Sequence, residues 1–239
     1  MPILEGQGLT KYFGGLAAVS NVDFHIDKGE IVGLIGPNGA GKTTLFDLIS
    51  AALAPKSGVI RFKGENITGL KPHQICRQGL ARTFQSVKIF PNMPVMNNVA
   101  LGVHFGTLER VTSTQATEEV ARLLEFVGLS EMAVVPAKDL TLANQKLLEV
   151  ARALATKPEV LLLDEIMAGL NSTETVQAIE LVSKMRAQGI TIFMIEHVMK
   201  AIMSVCDRII VLHHGKKIAE GTPQEITTSE TVVKVYLGE

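Results

Sequence analysis

The sequence predicts an α/β protein with a mainly parallel sheet, a small antiparallel β layer and an inserted helical segment. Short apolar runs that lack alternation and are bounded by turn residues are typical of strands buried on both faces. Such runs occupy residues 31–35, 160–163, 190–195 and 209–212. Between them, apolar residues spaced three and four apart predict helices, at residues 45–53, 118–127, 145–155 and 173–187. This alternation indicates a doubly wound sheet that binds ligands at the carboxyl ends of its strands.

Two regions of the chain depart from that pattern. VDFHI at residues 22–26 and GVIRFK at residues 58–63 alternate or are bounded by turns, as antiparallel strands are. From about Ser86 to Thr156 the strand signal disappears and helical periodicity dominates. We therefore expect a single domain of 239 residues, in which residues 1–85 and 157–239 form an α/β core with its β layer and residues 86–156 form a helical subdomain.

Charge and cysteine content narrow the possible partners and location. The 23 basic and 24 acidic residues nearly balance, which gives no electrostatic reason to expect nucleic acid as a partner. Cys76 and Cys206 lie far apart and form no CxxC pair, so we expect free thiols in a reducing compartment. The start of the chain lacks a basic stretch followed by an apolar one, so we expect no secretory signal and a cytosolic location.

A glycine-rich loop carries the strongest functional signal. GPNGAGKTT at residues 36–44 follows the apolar run IVGLI and precedes TTLFDLIS, so it matches GxxxxGK[ST] in its strand–loop–helix context. Its glycines let successive amides point toward one phosphate-sized site, which the positive end of the following helix reinforces. The predicted nucleotide-binding residues are Gly36, Pro37, Asn38, Gly39, Ala40, Gly41, Lys42, Thr43 and Thr44. We expect Lys42 to reach the terminal phosphates and Thr43 to ligate Mg²⁺.

A pair of carboxylates supplies the second half of the predicted site. VLLLDE at residues 160–165 delivers Asp164 and Glu165 to the carboxyl end of an apolar strand, which is where the glycine-rich loop should lie. Asp164 is expected to hold Mg²⁺, commonly through water, and Glu165 to act on the attacking water as a general base or positioning group. The two motifs together predict a P-loop nucleoside triphosphatase (NTPase) core that binds and hydrolyses ATP.

Three further residues surround these motifs: Tyr12 ahead of the loop, Gln85 in ARTFQ and His197 after ITIFMIE. With GPNGAGKTT and VLLLDE they make nearly the whole chain resemble the ATP-binding-cassette (ABC) family. The resemblance implies that Tyr12 stacks on adenine, although core packing is the alternative. It also implies that Gln85 contacts Mg²⁺ or water and senses a transmembrane partner, and that His197 bonds the γ-phosphate and orients water. The other histidines are expected to be surface or structural residues: His25, His73, His104, His213 and His214.

The signature segment of that family, usually LSGGQ, is altered in this chain. Alignment on EVARAL places LTLAN, residues 140–144, over it, so that Thr141 keeps the hydroxyl while Leu142 and Ala143 replace the glycines. The resemblance implies that this segment caps a helix facing the γ-phosphate bound by the other subunit, which makes Thr141 and Ala143 candidate nucleotide contacts. The added Cβ atoms would crowd that approach, so we expect weakened rather than abolished function.

Two other segments permit both a functional and a structural interpretation. SVKIFPNMPVMNNV, residues 86–99, offers apolar and flexible Met side chains for the helix of a membrane subunit, and ordinary core contacts are the alternative. AGLN, residues 168–171, occupies the position of the family's D-loop, and Asn171 replaces the usual acid. This segment can contact a second subunit, and Asn171 can also serve as a helix N-cap.

The residues of several motifs narrow the resemblance to one branch of the ABC family. FGGLAAVSNVDF, GPNGAGKTTLFDLIS, ARTFQ, DEIMAGLNSTE and the terminal VYLGE resemble the ATP-binding subunit of branched-chain amino acid importers. This resemblance implies transmembrane permease subunits, a second ATPase that is a paralogue or the same chain, and indirectly an extracytoplasmic solute-binding protein. It implies a peripheral location on the cytoplasmic side of the inner membrane. The alternatives are a regulatory ATP-binding dimerisation module with little hydrolysis and an exporter ATPase of the lipopolysaccharide type.

Overall fold

The strands follow the apolar runs of the sequence closely. The structure, a computed structural model, describes residues 1–106 and 111–237. Its strands are β1 (Leu4–Phe13), β2 (Leu16–Ile26), β3 (Ile31–Ile35), β4 (Ser57–Phe62), β5 (Glu65–Asn66), β6 (Leu80–Arg82), β7 (Val160–Asp164), β8 (Thr191–Ile195), β9 (Arg208–His213) and β10 (Lys216–Gly221). Strands β3, β7, β8 and β9 therefore fall on the four runs that predict buried strands.

Helices connect most of these strands. They are α1 (Lys42–Ile49), α2 (Pro72–Arg77), α3 (Val95–Phe105), α4 (Ser113–Val127), α5 (Leu142–Leu154), α6 (Ser172–Ala187), α7 (Met199–Val205), α8 (Pro223–Thr228) and α9 (Glu230–Leu237). The predicted bounds 45–53 of the first helix are wrong at both ends. Gly41, at φ +102°, places the N-terminus of α1 directly after the glycine-rich loop. The left-handed backbone of Ala51, at φ +57°, prevents the helix from continuing.

The strands form two sheets of different kinds. In the described residues the larger sheet has the order β10-β9-β3-β8-β7-β6, and its neighbours are parallel except for β9 and β10. The smaller sheet, in the order β2-β1-β4-β5, is antiparallel. The predicted α/β class with a mainly parallel sheet and a small antiparallel layer is confirmed.

The parallel sheet lies between two apolar layers. Strand side chains alternate between its faces, so Leu161 and Leu163 pack with the helices after residue 95. Leu162 and Phe193 pack on the other face with α1 and the antiparallel sheet. On that face the ring centroids of Phe46 and Phe193 lie 5.0 Å apart. Burial on both faces explains why these strands are apolar without alternation.

Helices α3, α4 and α5 lie in the stretch where helical periodicity dominates the sequence. They pack on one another and share apolar residues with one face of the parallel sheet. The division into a core and a helical subdomain stays a prediction. Within the described ranges, no helix combines the length and apolar character needed to cross a membrane. Gly238 and Glu239, which end the VYLGE motif, lie outside the described residues.

Both cysteines are free thiols, as their spacing predicts. Cys206 is buried, and burial raises the pKa of its thiol to about 12. At that pKa the reactive thiolate is scarce near neutral pH, which fits a packing role.

Candidate nucleotide site

The glycine-rich loop joins β3 to α1 and contains positions where only glycine fits. Gly36 and Gly41 have φ of +153° and +102°, in a backbone region that favours glycine. A Cβ atom at Gly36 would lie 2.2 Å from the carbonyl oxygen of Leu212, and one at Gly41 would lie 2.2 Å from that of Ala18. These contacts seat the loop against β9 and β2, so its shape depends on both sheets.

Lys42 lies folded back across this loop. Its Nζ donates hydrogen bonds to the carbonyl oxygens of Gly36 at 2.7 Å and Pro37 at 3.1 Å. Burial lowers the pKa of Lys42, while the carboxylates of Glu165 and Asp164 oppose that shift. Gly41 offers no capping side chain, so the first amides of α1 remain available to an anion.

A cleft of about 590 Å³ opens over the loop. It brings predicted residues together, because Asn38, Gly39, Ala40, Gly41, Lys42, Thr43, Thr44, Gln85 and Glu165 all line it. Gly36 and Pro37 form the base of the loop, where their carbonyls hold Lys42. His214, which sequence reasoning assigns to the surface, also lines the cleft. The turn between β9 and β10 brings this histidine to the cleft. No sequence motif marks it.

The aromatic residue at the cleft is Phe13, and Tyr12 lies outside the lining. Both side chains are about half exposed, at 50% and 48%. Neighbouring residues of a strand point to opposite faces, and only one of the two can face the loop. Register shifts interrupt the pairing of β1 with β2. Alternation counted along the sequence therefore cannot identify the facing residue. The adenine contact stays a prediction, and the lining of the cleft favours Phe13 over Tyr12 for it.

Asp164 ends β7 with one carboxylate oxygen paired and the other free. The side chain is almost fully buried, and its Oδ2 accepts a hydrogen bond from Arg82 Nη2 at 2.8 Å. Its Oδ1 has no hydrogen-bond partner among the described residues. Burial raises the pKa of Asp164, and the bond from Arg82 opposes that shift. Arg82 also pairs with Asp47 at 2.6 Å, so it ties Asp164 to α1. Sequence reasoning missed this arginine.

The three predicted catalytic residues meet at the carboxylate of Glu165. Gln85 Nε2 donates to Glu165 Oε2 at 2.9 Å. His197 Nε2 lies 2.7 Å from Glu165 Oε1, within hydrogen-bonding distance. Glu165 itself has φ +53°, a left-handed conformation that is uncommon for residues other than glycine. The strand ends of β6, β7 and β8 thus converge on one carboxylate at the edge of the cleft.

The donor set at the cleft suits Mg²⁺. A buried, unpaired oxygen of Asp164 lies at the end of β7, directly before the cleft-lining Glu165, and Thr43 offers a hydroxyl in the cleft. In the described part of the chain, this cleft included, no three His, Cys, Asp or Glu side chains gather as metal ligands. Mg²⁺ typically takes one or two carboxylates and completes its shell with water and substrate phosphates, so the residues present fit this ion.

The altered signature segment lies apart from this cleft. Thr141 caps α5, where its Oγ1 accepts a hydrogen bond from the amide of Asn144 at 3.3 Å. Leu142 is 50% exposed and lies over Gly169, where an added Cβ would be 3.3 Å from its Cδ2. Ala143 lines a separate cavity of about 130 Å³ between α5 and α6. Neither Thr141 nor Ala143 lines this chain's own nucleotide cleft.

Asn171 is the N-cap of α6. Its Oδ1 accepts a hydrogen bond from the amide of Glu174 at 2.9 Å, and Glu174 Oε2 accepts one from the amide of Asn171 at 2.9 Å. The N-cap interpretation is confirmed, and the contact of residues 168–171 with a second subunit stays a prediction.

Comparison with known families agrees with this geometry. The family model described as ABC transporter matches residues 19–168, more than half of the chain. The chain belongs to the ABC transporter family. A second model, described as branched-chain amino acid ATP-binding cassette transporter, matches residues 216–239. As an ABC protein, this chain binds ATP and couples ATP hydrolysis to transport.

Individual relatives extend over the full chain. It is 42% identical to the high-affinity branched-chain amino acid transport ATP-binding protein BraF of Pseudomonas aeruginosa, covering 100% of this chain and 98% of that protein. It is 41% identical to the corresponding protein LivG of Escherichia coli, with the same coverage. The crystal structure of the ADP conformation of the cassette MJ1267 superposes with a TM-score of 0.91 at 30% identity, covering 100% of both chains. These relatives confirm the P-loop NTPase class of this ABC protein.

Proposed function

We propose that this chain is the ATP-hydrolysing subunit of an importer for branched-chain amino acids or a related small polar solute. The observation that carries the proposal is the convergence of Gln85 and His197 on Glu165 at the edge of the phosphate-loop cleft. The branched-chain amino acid transport function of the full-length relatives and the match at residues 216–239 support the choice of cargo. The subunit acts at the cytoplasmic face of the inner membrane, where two permease subunits bind it.

The residues of the cleft have distinct roles in the proposed reaction. The amides of the loop and of α1 bind the phosphates, Lys42 exchanges its loop carbonyls for the terminal phosphate, and Phe13 stacks on adenine. Asp164, Thr43 and Gln85 would hold Mg²⁺, which neutralises charge on the phosphates during transfer. Glu165 orients the attacking water, and Gln85 and His197 hold its carboxylate in place.

A groove of about 560 Å³ is the proposed docking site for a permease helix. Phe84, Phe90 and Phe105 line it and keep 40%, 46% and 67% of their surface exposed, which is unusual for large apolar side chains. The guanidinium of Arg152 lies 5.1 Å from the centre of the Phe90 ring. Gln85 follows Phe84 of the groove directly in sequence and bonds Glu165, so permease movement at the groove reaches the catalytic carboxylate.

A second ATPase completes each site in this proposal. Thr141 and Ala143 lie outside this chain's cleft, so their nucleotide contacts require the ATP of a facing subunit. The partner is a paralogue or a second copy, and its signature segment covers the ATP bound here. Closure of the pair drives the permease, and hydrolysis resets it.

Co-expression with the neighbouring permease genes tests the proposal. We expect the chain to co-purify with the permease and its ATPase activity to depend on that complex. F90A should weaken co-purification, while V176A, which truncates an exposed apolar side chain on α6, should not. If F90A keeps both its association with the permease and its ATPase activity, the proposed docking groove is wrong. Absence of both association and coupled ATPase activity in the unaltered chain would refute the transporter function. Association without hydrolysis would favour the regulatory module.

A further inference from the structure

The turn that carries Glu165 has a backbone that needs outside support. Glu165 adopts φ +53°, in a region that L residues rarely occupy. Such conformations persist where surrounding contacts hold them, and they concentrate at functional sites. Glu165 leads into residues 166–171, which connect β7 to α6. The contacts that hold this turn therefore decide where the carboxylate of Glu165 lies.

Two titratable side chains bond to this turn. Lys146 Nζ donates hydrogen bonds to the carbonyl oxygens of Glu165, at 3.0 Å, and of Ala168. Glu196 Oε1 accepts a hydrogen bond from the amide of Met167 at 2.8 Å. The amide of Glu165 donates to the carbonyl oxygen of Ile195 at 2.9 Å. The turn is thus bonded on one side to α5 and on the other to the end of β8.

Lys146 occupies a costly position for an amine. It is only 8% exposed, and burial lowers its pKa, although the carboxylates of Glu196, Glu165 and Glu149 oppose that shift. An apolar side chain of similar length would fill this place without the cost of removing an ammonium group from water. The packing of α5 therefore does not explain a lysine here, and its bonds to the turn do.

Lys146 also lies close to the signature segment in sequence. That segment, residues 140–144, opens α5, and Lys146 lies within the first turns of the same helix. A helix transmits displacement along its axis as a rigid element, so a shift of the segment moves Lys146 with it. The amine then displaces the carbonyls of Glu165 and Ala168, which are its hydrogen-bond acceptors.

We propose that Lys146 is a positioning residue that links the signature helix to the water-orienting Glu165. When the signature segment engages nucleotide on a facing subunit, Lys146 carries that movement to the turn of its own chain. The link rests on the proposed function, because it assumes that Glu165 orients water. It assigns a role within hydrolysis to a side chain that does not line the nucleotide cleft.

Steady-state kinetics of the full chain in complex with its permease subunits tests the link. We expect K146M to lower kcat roughly 10-fold or more and to change nucleotide affinity less than about twofold, since only the carboxylate is displaced. K146R should recover most of kcat, because a guanidinium also donates to two carbonyls and the adjoining cavity of about 130 Å³ gives it room. Amide exchange of residues 165–170 should accelerate in K146M. The matched control K184M removes an exposed lysine from α6 and should match the unaltered chain.

Three outcomes would overturn the link: a kcat of K146M within about twofold of the unaltered chain, a loss that K146R shares in full, or an equal loss of nucleotide affinity. If K146M does not fold, K146Q is measured against the same limits, since it keeps a donor and loses the charge. E165Q separates this proposal from the one on which it rests. If E165Q turns over normally, the role of Glu165 is wrong, whereas an inactive E165Q with a normal K146M refutes only the link.

Discussion

The phosphate loop and the signature segment differ in whether they require glycine. In the loop, a Cβ added at Gly36 or Gly41 would lie 2.2 Å from a backbone carbonyl oxygen, so these positions require glycine. In the signature segment, Leu142 and Ala143 occupy the glycine positions, and the helix is still capped by Thr141. In the proposed function, the loop contacts this chain's own ATP, and the segment contacts the ATP of a facing subunit. Two segments of one chain can therefore differ in how closely they follow the family pattern.

Removal of the Glu165 carboxylate should have the largest effect. In E165Q we expect turnover to fall roughly 100-fold or more, because the group that orients water loses its charge. ATP binding should be retained, since the phosphate contacts come from the loop and α1. Single-turnover hydrolysis and equilibrium binding of a fluorescent ATP analogue measure the two quantities. Unchanged hydrolysis in E165Q would contradict the assigned role.

Adding a Cβ to the loop tests the steric side of the comparison. G41A should weaken ATP binding roughly 10- to 100-fold, because its Cβ would meet the carbonyl oxygen of Ala18. G39A is the matched control: its φ is also positive, at +77°, but a Cβ there has no neighbour within 4 Å. G39A should lower the free energy of unfolding only by the backbone strain, about 1–2 kcal/mol. Equal losses in G41A and G39A would mean that backbone angle, and not the collision, excludes alanine.

Glu196 bonds the turn between β7 and α6 and should make stability depend on pH. Burial raises the pKa of this carboxyl from 4.5 to about 7. The folded chain therefore binds more protons than the unfolded chain between these values, and its stability falls as pH rises through that window. E196Q removes this dependence and keeps an oxygen for the amide of Met167. Between pH 5 and pH 8, we expect E196Q to gain about 2 kcal/mol relative to the unaltered chain.

Urea denaturation at the two pH values measures that gain. E180Q, which neutralises an exposed carboxylate on α6, should show no comparable gain between the same pH values. A gain of the same size in E180Q would assign the pH dependence to surface charge in general rather than to burial of Glu196.

Restoring glycine to the signature segment should have the smallest effect. We expect L142G/A143G to raise ATP turnover of the complex severalfold, since the removed side chains crowd the approach of the facing nucleotide. The glycines should also lower the free energy of unfolding by about 1 kcal/mol each. V176G on α6 is the control: it should lower the free energy of unfolding by a similar amount, but it lies outside the signature segment. A rate that stays unchanged in L142G/A143G would show that the segment already works without its glycines.

Much of the fold can be predicted because its signals are local. The apolar runs of β3, β7, β8 and β9 and the loop after β3 are visible within a few residues. Strand bounds and the carboxylate pair follow directly from such runs. The ends of α1 were less predictable, because they depend on backbone angles at Gly41 and Ala51 that hydrophobic spacing does not report.

The candidate site shows where local signals end. The sequence by itself determined the phosphate loop, the pair Asp164 and Glu165, and a doubly wound sheet, because each follows from spacing and residue chemistry. Only the tertiary structure selected Phe13 over Tyr12 and placed His214 in the cleft. It alone joined Arg82 to Asp164, 82 residues apart, and Lys146 to the carbonyl of Glu165. The physical reason is that a hydrogen bond depends on the position of two atoms in space, and the order of residues along the chain does not fix that position.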